Sequence, residues 1–231
     1  MSPSVYDSLV ACLIPGYTSL ARLSVSLLAA SPLAQAPGAS VLVAGCGSGA
    51  ELLAARNLRP DWHLTALDPS AEMLAMARDK LDAPSEQPKP HQPIQWLQGT
   101  VEEGPDAALF DGAIAVLVLQ GLPDDGSKRR FLSSLSRSLK PGAQVVLVDL
   151  MQQERSSMEG QLIAARQLFQ QAEAIVEDAG QPQDLTSQVL GEVYPVSLSR
   201  LTGLLEATGF SDPFSVFRAL DYEGFVVQKL S

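Results

Sequence analysis

The sequence predicts an α/β fold with a mostly parallel, seven-stranded sheet that closes with an antiparallel hairpin. Three observations support this prediction. An apolar run at 41–44 leads through closely spaced glycines into a helix-like segment at 50–56. Strand-like and helix-like segments then alternate as far as residue 150, which is typical of a parallel sheet with right-handed crossovers. Two strand-like runs at 214–220 and 225–230, joined by a turn, form the terminal hairpin.

The composition is that of one folded domain. The chain has 231 residues, of which 46% are hydrophobic, and this is enough to bury a full core. We therefore expect a single domain over 1–231. The formal net charge of −10 disfavours a broad positive surface, so we expect no direct DNA binding. The densest basic cluster is Lys128-Arg129-Arg130, which we expect to lie on a solvated helix face.

The cysteine and histidine content indicates neither a disulfide framework nor a metal site. The chain has two cysteines, Cys12 and Cys46, and two histidines, His63 and His91, without any cluster of ligands. We expect His63 to be structural because it begins the second strand, at the edge of the sheet away from ligands. His91 is expected to be exposed in a proline-rich loop. We therefore expect no metal.

The N-terminal segment, residues 1–36, is predicted to form a helical cap. Helices are expected at 4–13 and 18–31, separated by a Pro-Gly pair. The start of the chain lacks the basic region of a secretory signal. Residues 19–36 contain Arg22, several serines and a proline, which favours a buried or interface helix over a membrane span. We expect a cytoplasmic protein with no membrane association.

The central part of the chain alternates regularly between strands and helices. The predicted strands share short apolar runs and lie at 41–44, 62–67, 94–98, 110–118 and 143–150. Helices are expected after the first, second and fourth of them. Four prolines make residues 82–93 a surface loop. This order of elements is the basis for the parallel sheet.

The pattern changes after residue 150. One long helix is predicted at 156–178, irregular structure at 180–197, and a further helix at 198–207. The insertion at 151–196 would cover a ligand pocket as a lid. Packing, or contact within a homodimer, is an equally favoured interpretation of the same segment.

The most informative motif is the glycine-rich turn after the first strand. Gly45, Gly47 and Gly49 let the backbone turn sharply and approach a ligand closely. The helix that follows offers free N–H groups at its start. A dinucleotide site has the spacing G-x-G-x-x-G, whereas the third glycine here comes one residue early. A structural turn without a ligand is the alternative interpretation, and NAD binding is less favoured still.

A carboxylate follows the second strand. Asp68 lies about 20 residues past the glycines, where folds of this kind hydrogen-bond a ribose diol. Ser70 is predicted to cap the next helix, although no glutamate completes a capping box. The alternative interpretation is that Asp68 only begins a capped turn.

These segments, in this order, resemble the motifs of the class I S-adenosylmethionine-dependent methyltransferases. Gly45-Cys46-Gly47-Ser48-Gly49 is similar to their first motif, and Asp68-Pro69 is similar to their ribose-binding motif. Gly99-Thr100-Val101 is similar to their adenine-contacting segment. Residues 110–111, 119–123 and 139–142 resemble the later motifs.

The resemblance implies a Rossmann-like fold with S-adenosyl-L-methionine as cofactor and S-adenosyl-L-homocysteine as its product form. It also implies a small-molecule methyl acceptor as the partner. The implied cofactor contacts from these motifs are Gly45, Cys46, Gly47, Gly49, Asp68, Pro69, Thr100 and Val101.

The N-terminal cap adds a likeness to the carboxy-S-adenosylmethionine synthases, which serve wobble-uridine modification of tRNA. Residues 14–18 resemble a motif of that family whose tyrosine, here Tyr17, contacts the cofactor. That family has an Asn where Val116 aligns and a carboxylate-binding Arg where Thr186 aligns. The likeness therefore implies Tyr17 and Val116 in the cofactor site. A carboxylate is best held by a bidentate guanidinium, so we expect ordinary S-adenosylmethionine to be preferred.

No catalytic residue is assigned, because methyl transfer depends more on near-attack positioning than on acid–base groups. Tyr17, Tyr194, Asp149 and Glu154 are polar candidates near the strand ends, where open α/β sheets bind ligands. A structural role is favoured for each of them. Three functions stay open: a small-molecule methyltransferase, a carboxy-S-adenosylmethionine synthase, and a non-catalytic S-adenosylmethionine-binding module.

Overall fold

The computed structural model of the protein describes residues 3–83, 91–104, 107–153, 157–173 and 191–231. Its first half contains helices α1 (Pro3–Leu13) and α2 (Tyr17–Ala29), strand β1 (Ser40–Ala44), helix α3 (Ala50–Leu58), strand β2 (His63–Asp68), helix α4 (Ala71–Asp82) and strand β3 (Gln95–Gln98). Its second half contains strand β4 (Phe110–Val116), helix α5 (Ser127–Ser138), strand β5 (Leu139–Leu150), helices α6 (Glu159–Glu173) and α7 (Leu198–Glu206), and strands β6 (Phe214–Ala219) and β7 (Tyr222–Gln228).

The strands form one seven-stranded sheet in the order β3-β2-β1-β4-β5-β7-β6. Strands β1 to β5 pair in parallel, and β7 lies antiparallel between β5 and β6. The predicted fold class, a mostly parallel sheet with a terminal antiparallel hairpin, is confirmed. Because the first strands are parallel, their carboxyl ends meet at one edge of the sheet.

Helices cover both faces of the sheet, and each face has its own hydrophobic cluster. One cluster includes Phe131, Leu135 and Phe225, and the other surrounds the fully buried Trp62. This double burial explains why the parallel strands are almost continuously apolar. A third, smaller cluster joins the N-terminal cap to the ends of β4, β5 and β7 through Val10, Leu13, Ile14 and Tyr222.

Several element boundaries follow from local signals. The hydroxyl of Ser70 accepts a hydrogen bond from the Met73 N–H at 3.2 Å, so the predicted helix cap is confirmed. Strand β5 begins at Leu139 rather than at 143, because Leu139 pairs with Phe110 beside a β-bulge. The long helix predicted at 156–178 is described from Glu159 to Glu173.

One expectation from the sequence is wrong. Lys128 does not lie on a solvated face of α5, because its side chain is only 1% exposed. Its ammonium donates a hydrogen bond to the backbone carbonyl of Leu119. The neighbouring Arg129 and Arg130 are exposed as expected.

Among the described residues, no single helix has the length and apolar character to cross a membrane. The segments Tyr6–Leu13 and Tyr17–Ala29 have this length and apolar character only when taken together, and the angle between them is 91°.

Candidate functional site

A cleft of about 310 Å³ lies at the carboxyl ends of β1, β2 and β4. Parallel α/β sheets bind ligands at this edge. The cleft brings together seven of the residues implied by the sequence motifs: Tyr17, Gly45, Cys46, Gly47, Asp68, Pro69 and Val116. These residues come from α2, the turn after β1, the end of β2 and the end of β4, so only the tertiary fold assembles them.

The turn after β1 has the backbone conformation that its glycines predict. Gly45 and Gly47 have φ angles of 67° and 49°, in the left-handed region that favours glycine. A Cβ atom on Gly45 would lie 2.5 Å from a methyl carbon of Val118, whereas a Cβ on Gly47 would meet nothing within 4 Å. Gly45 therefore permits close packing, and Gly47 leaves open space at the cleft.

Asp68 fastens the end of β2 to the glycine-rich turn. One carboxylate oxygen accepts the N–H of Gly47 at 2.9 Å, and the other accepts the N–H of Ser70 at 2.9 Å. A carboxylate has about four lone-pair sites, so further acceptor capacity is left for a ligand hydroxyl. Asp68 is 7% exposed and lines the cleft, which suits a group that binds a diol.

Three of the implied contact residues lie outside this cleft. The side chain of Val101 is buried in the core cluster that contains Phe131. Thr100 lines a separate groove, and its N–H donates to the Glu103 carboxylate at 2.8 Å. Gly49 precedes α3 and packs against Ala77 of α4 rather than against the cleft.

The N-terminal cap is fastened to the glycine-rich turn by polar contacts. The hydroxyl of Ser48 donates to Asp7 of α1 at 2.5 Å. The ammonium of Lys80, on α4, donates to the Ser48 hydroxyl at 3.0 Å and also forms an ion pair with Asp7. These contacts hold α1 beside the cleft, where Tyr6 forms part of the wall.

Burial changes the protonation of several groups in the cleft wall. Desolvation raises the pKa of the Cys46 thiol to about 12, so the thiol is not a nucleophile at neutral pH. Desolvation also raises the pKa of the Tyr17 hydroxyl. Glu51, in the first turn of α3, is 7% exposed, and burial raises its pKa to about 7. The sequence interpretation missed Glu51, because a glutamate in a first turn is ordinary helix chemistry.

The turn after β4 is fixed by a buried polar network. The N–H of Gln120 donates to Asp149 at 3.0 Å, and the Gln120 side-chain oxygen accepts the Leu150 N–H at 2.9 Å. Burial raises the pKa of Asp149 to about 7, while the nearby Lys128 ammonium opposes this change. Asp149 is thus a structural group beneath the turn, and it does not line the cleft.

Leu117, the first residue after β4, has a strained backbone conformation. Its φ angle is 61°, which is uncommon for a residue with a branched side chain. Its N–H donates to the Val148 carbonyl at 2.6 Å, which holds this geometry. Val116, Leu117 and Val118 all line the cleft. Strain of this kind concentrates at functional sites.

The other polar candidates lie away from the cleft or outside the described residues. Tyr194 is exposed, and its hydroxyl donates to Glu192 at 2.6 Å. Glu154 and Thr186 lie outside the described residues. His63 is exposed at the opposite edge of the sheet, and His91 is also exposed.

Comparison with known proteins agrees with this geometry. Residues 42–145 match the family model of a methyltransferase domain. The chain is 33% identical to trans-aconitate 2-methyltransferase of Azoarcus sp. (strain BH72) over 121 residues, which are 52% of this chain and 42% of that protein. It is 35% identical over 118 residues to 2-phytyl-1,4-naphtoquinone methyltransferase of Synechocystis sp. (strain ATCC 27184 / PCC 6803 / Kazusa), covering 50% and 47% of the two chains. The chain thus spans less than half the length of these curated relatives.

The fold is shared more widely than the sequence. Human N-acetylserotonin methyltransferase in complex with S-adenosylmethionine superposes with a TM-score of 0.59 at 20% identity, over 94% of this chain and 53% of that one. The strand order and the match over 42–145 support the predicted resemblance to the class I S-adenosylmethionine-dependent methyltransferases. The likeness to the carboxy-S-adenosylmethionine synthases stays a prediction.

Proposed function

We propose that this protein is a methyltransferase that uses S-adenosylmethionine to methylate a small molecule. The observation that carries the proposal is the junction of Gly47 and Asp68. There a left-handed glycine leaves open space beside a buried carboxylate that keeps spare acceptor sites. A ribose diol requires this combination of close backbone approach and carboxylate. The cleft walls are otherwise largely apolar, which suits a purine.

The chain's own residues would act by holding and shielding the reactants. S-adenosylmethionine supplies an electrophilic methyl group on a sulfonium. Asp68 and the turn at Gly45–Gly47 would bind the adenosyl part, and Val116, Leu117 and Val118 would exclude water from the reacting end. Positioning of this kind can supply much of the rate acceleration in a displacement reaction. No described residue is assigned as a general base.

Ordinary S-adenosylmethionine, rather than its carboxylated form, is the proposed donor because the cleft is acidic. Its wall carries Asp68 and Glu51. Two arginines of the C-terminal half that could have supplied a cation, Arg166 and Arg200, are paired elsewhere. Arg166 forms an ion pair with Asp221, and Arg200 makes two hydrogen bonds of 2.9 Å to Asp124.

The acceptor is proposed only by class. The two curated relatives are named for trans-aconitate and for a phytyl naphthoquinone, so small molecules of very different polarity occur among them. The N-terminal cap over 1–36 and the insertion at 151–196 would frame the acceptor. The ion pair between Arg166 and Asp221 supports this role for the insertion, because it joins α6 of the insertion to the turn between β6 and β7. A cytoplasmic location and a homodimer remain predictions.

The proposal is tested by mass spectrometry in two experiments. The purified protein is first mixed with equal amounts of S-adenosylmethionine and its carboxylated form, and the bound species is identified. We expect the ordinary form to be retained. Retention of the carboxylated form against a large excess of the ordinary one would instead favour a carboxy-S-adenosylmethionine synthase.

The second experiment supplies methyl-deuterated S-adenosylmethionine together with a small-molecule extract. We expect a deuterated product to form. If the cofactor is bound but no deuterated product is found, the protein is a non-catalytic binding module. If neither form of the cofactor is bound, the cleft is not a cofactor site at all.

A further inference from the structure

The wall of the cleft contains a buried carboxylate, Glu51, which adds to the acidity of the cleft but which the proposed function assigns to no part of the ligand. Glu51 lies in the first turn of α3, two residues after the glycine-rich motif ends. It is 7% exposed and lines the same cleft as Asp68 and Tyr17. An acidic residue at a helix start usually faces water and complements the helix dipole. Burial makes that explanation insufficient, because a buried charge must be paired or neutralised.

The nearest described cation is already engaged by other groups. Lys80 of α4 acts on Glu51 electrostatically, but its ammonium forms an ion pair with Asp7 and a hydrogen bond to Ser48. In the part of the chain that the structure describes, no side chain donates a hydrogen bond to Glu51. Its carboxylate is stabilised by its own backbone N–H. The cleft therefore presents a carboxyl group without a dedicated positive partner.

The other ionisable groups around Glu51 do not supply that positive charge. Asp7 and Tyr6 face it from α1, Tyr17 from α2, and Cys46 from the glycine-rich turn. All of these are acids or neutral groups, and Asp68 adds a further negative charge to the same wall. A cation that enters the cleft would therefore relieve an unfavourable arrangement of charge.

We propose that Glu51 binds the ammonium group at the amino-acid end of S-adenosylmethionine. This inference rests on the proposed function. In it, Asp68 binds the ribose of the ligand, and Glu51 binds the amino-acid end of the same ligand. The two carboxylates line one cleft of about 310 Å³ from different elements, α3 and β2. Such a pair can recognise the two polar parts of one small ligand at once.

The proposal carries a proton linkage. Burial holds the pKa of free Glu51 at about 7, whereas a bound ammonium group would favour the ionised form. Below this pH, binding therefore releases a proton from Glu51. The complex binds fewer protons than the free protein, so affinity increases as the pH rises from about 6 to about 8.

The test compares two ligands by titration calorimetry. S-adenosylhomocysteine carries the amino-acid end, and 5′-methylthioadenosine lacks it. The variant Glu51→Gln preserves side-chain size and removes the charge. Glu72→Gln is the matched control, because Glu72 lies in the first turn of α4 but is exposed. Thermal melting of each variant reports whether it is folded.

We expect Glu51→Gln to weaken S-adenosylhomocysteine binding by about tenfold or more, the scale of losing a charged hydrogen bond. Its affinity for 5′-methylthioadenosine should stay within about twofold, since a lost contact confined to the amino-acid end leaves the adenosyl part intact. The pH dependence between about 6 and about 8 should disappear in this variant alone. Glu72→Gln should match the wild type in all three measurements.

Three results would overturn the assignment. Unchanged S-adenosylhomocysteine affinity in Glu51→Gln would exclude the contact. An equal loss for both ligands would show that Glu51 only supports the cleft. A pH dependence that persists in Glu51→Gln would assign the proton to another group. If the wild type binds neither ligand, the proposed function fails, and this inference fails with it. Failure of the Glu51 assignment alone is different, because the wild type would then still bind both ligands.

Discussion

The two sides of the cleft are built by different means. On the side of β1 and β2, backbone groups and Asp68 form the wall, and the hydrogen bonds run between residues of adjacent motifs. On the side of β4 and β5, the turn is supported from beneath by Gln120, Asp149 and the buried Lys128. The first side presents polar groups to the cleft, whereas the second uses its polar groups internally.

This difference appears in the two aspartates at the strand ends. Asp68 accepts two backbone N–H groups and borders the cleft. Asp149 accepts the Gln120 N–H through one oxygen, while its other oxygen is buried without a hydrogen bond among the described residues. A buried acceptor left unpaired is unfavourable for the ionised form. The first side is therefore the one for which we propose ligand binding, and the second supports the structure.

The largest effect is expected where the supporting side is disrupted. Lys128→Ala removes a buried aliphatic stem and leaves the Leu119 carbonyl without its donor. We expect the free energy of unfolding to fall by about 2–5 kcal/mol, the range for large-to-small changes in a core. Urea unfolding at neutral pH measures this value.

The neighbouring Arg129→Ala is the matched control for this change, because Arg129 is exposed on the same helix. Its effect should stay within about 0.5 kcal/mol. Equal effects of the two substitutions would mean that Lys128 does not support the turn.

A smaller effect is expected from the pH dependence of stability. Folded Asp149 keeps its proton up to about pH 7, because burial raises its pKa, whereas the unfolded chain loses that proton near pH 4. Protonation therefore stabilises the folded state at low pH, and this contribution is lost as the pH rises from about 4 to about 7.

Asp149→Asn cannot titrate, so its unfolding free energy should vary less over this range than that of the wild type. The difference between the two pH profiles, from urea unfolding, isolates Asp149 from Glu51, a second buried carboxyl whose pKa is raised to about 7. Parallel profiles would show that Asp149 is ionised in the folded protein throughout.

The sequence predicted the structure on the side of β1 and β2 far better than that on the side of β4 and β5. Gly45 and Gly47 act through backbone conformations that their residue type favours, and Asp68 lies at the strand end where its motif predicts it, although its hydrogen bond to Gly47 joins two separate motifs. The strand-to-helix order likewise predicted the sheet. Residue type and the order of the motifs were therefore sufficient on this side.

The supporting side depends on the burial of polar side chains such as Lys128 and Asp149, which no motif in the sequence indicates. Lys128 was expected in solvent, since a basic cluster on a helix usually lies there, but the Leu119 carbonyl and Asp149 bring it inside. Val101 belongs to the segment that resembles the adenine-contacting motif, yet its side chain is in the core. Glu51 was overlooked because its burial arises from the packing of α1 and α2 over the start of α3.

The central claim is that a cofactor binds between the glycine-rich turn and Asp68. Its most direct test is calorimetric titration of S-adenosylhomocysteine into the wild type, Asp68→Ala and the control Asp82→Ala, whose side chain is exposed at the end of α4. We predict that Asp68→Ala loses about 1–3 kcal/mol of binding free energy, the scale of a charge-assisted hydrogen bond, while the control binds as the wild type does. Equal affinity of Asp68→Ala and the wild type would contradict the claim and remove Asp68 from the site.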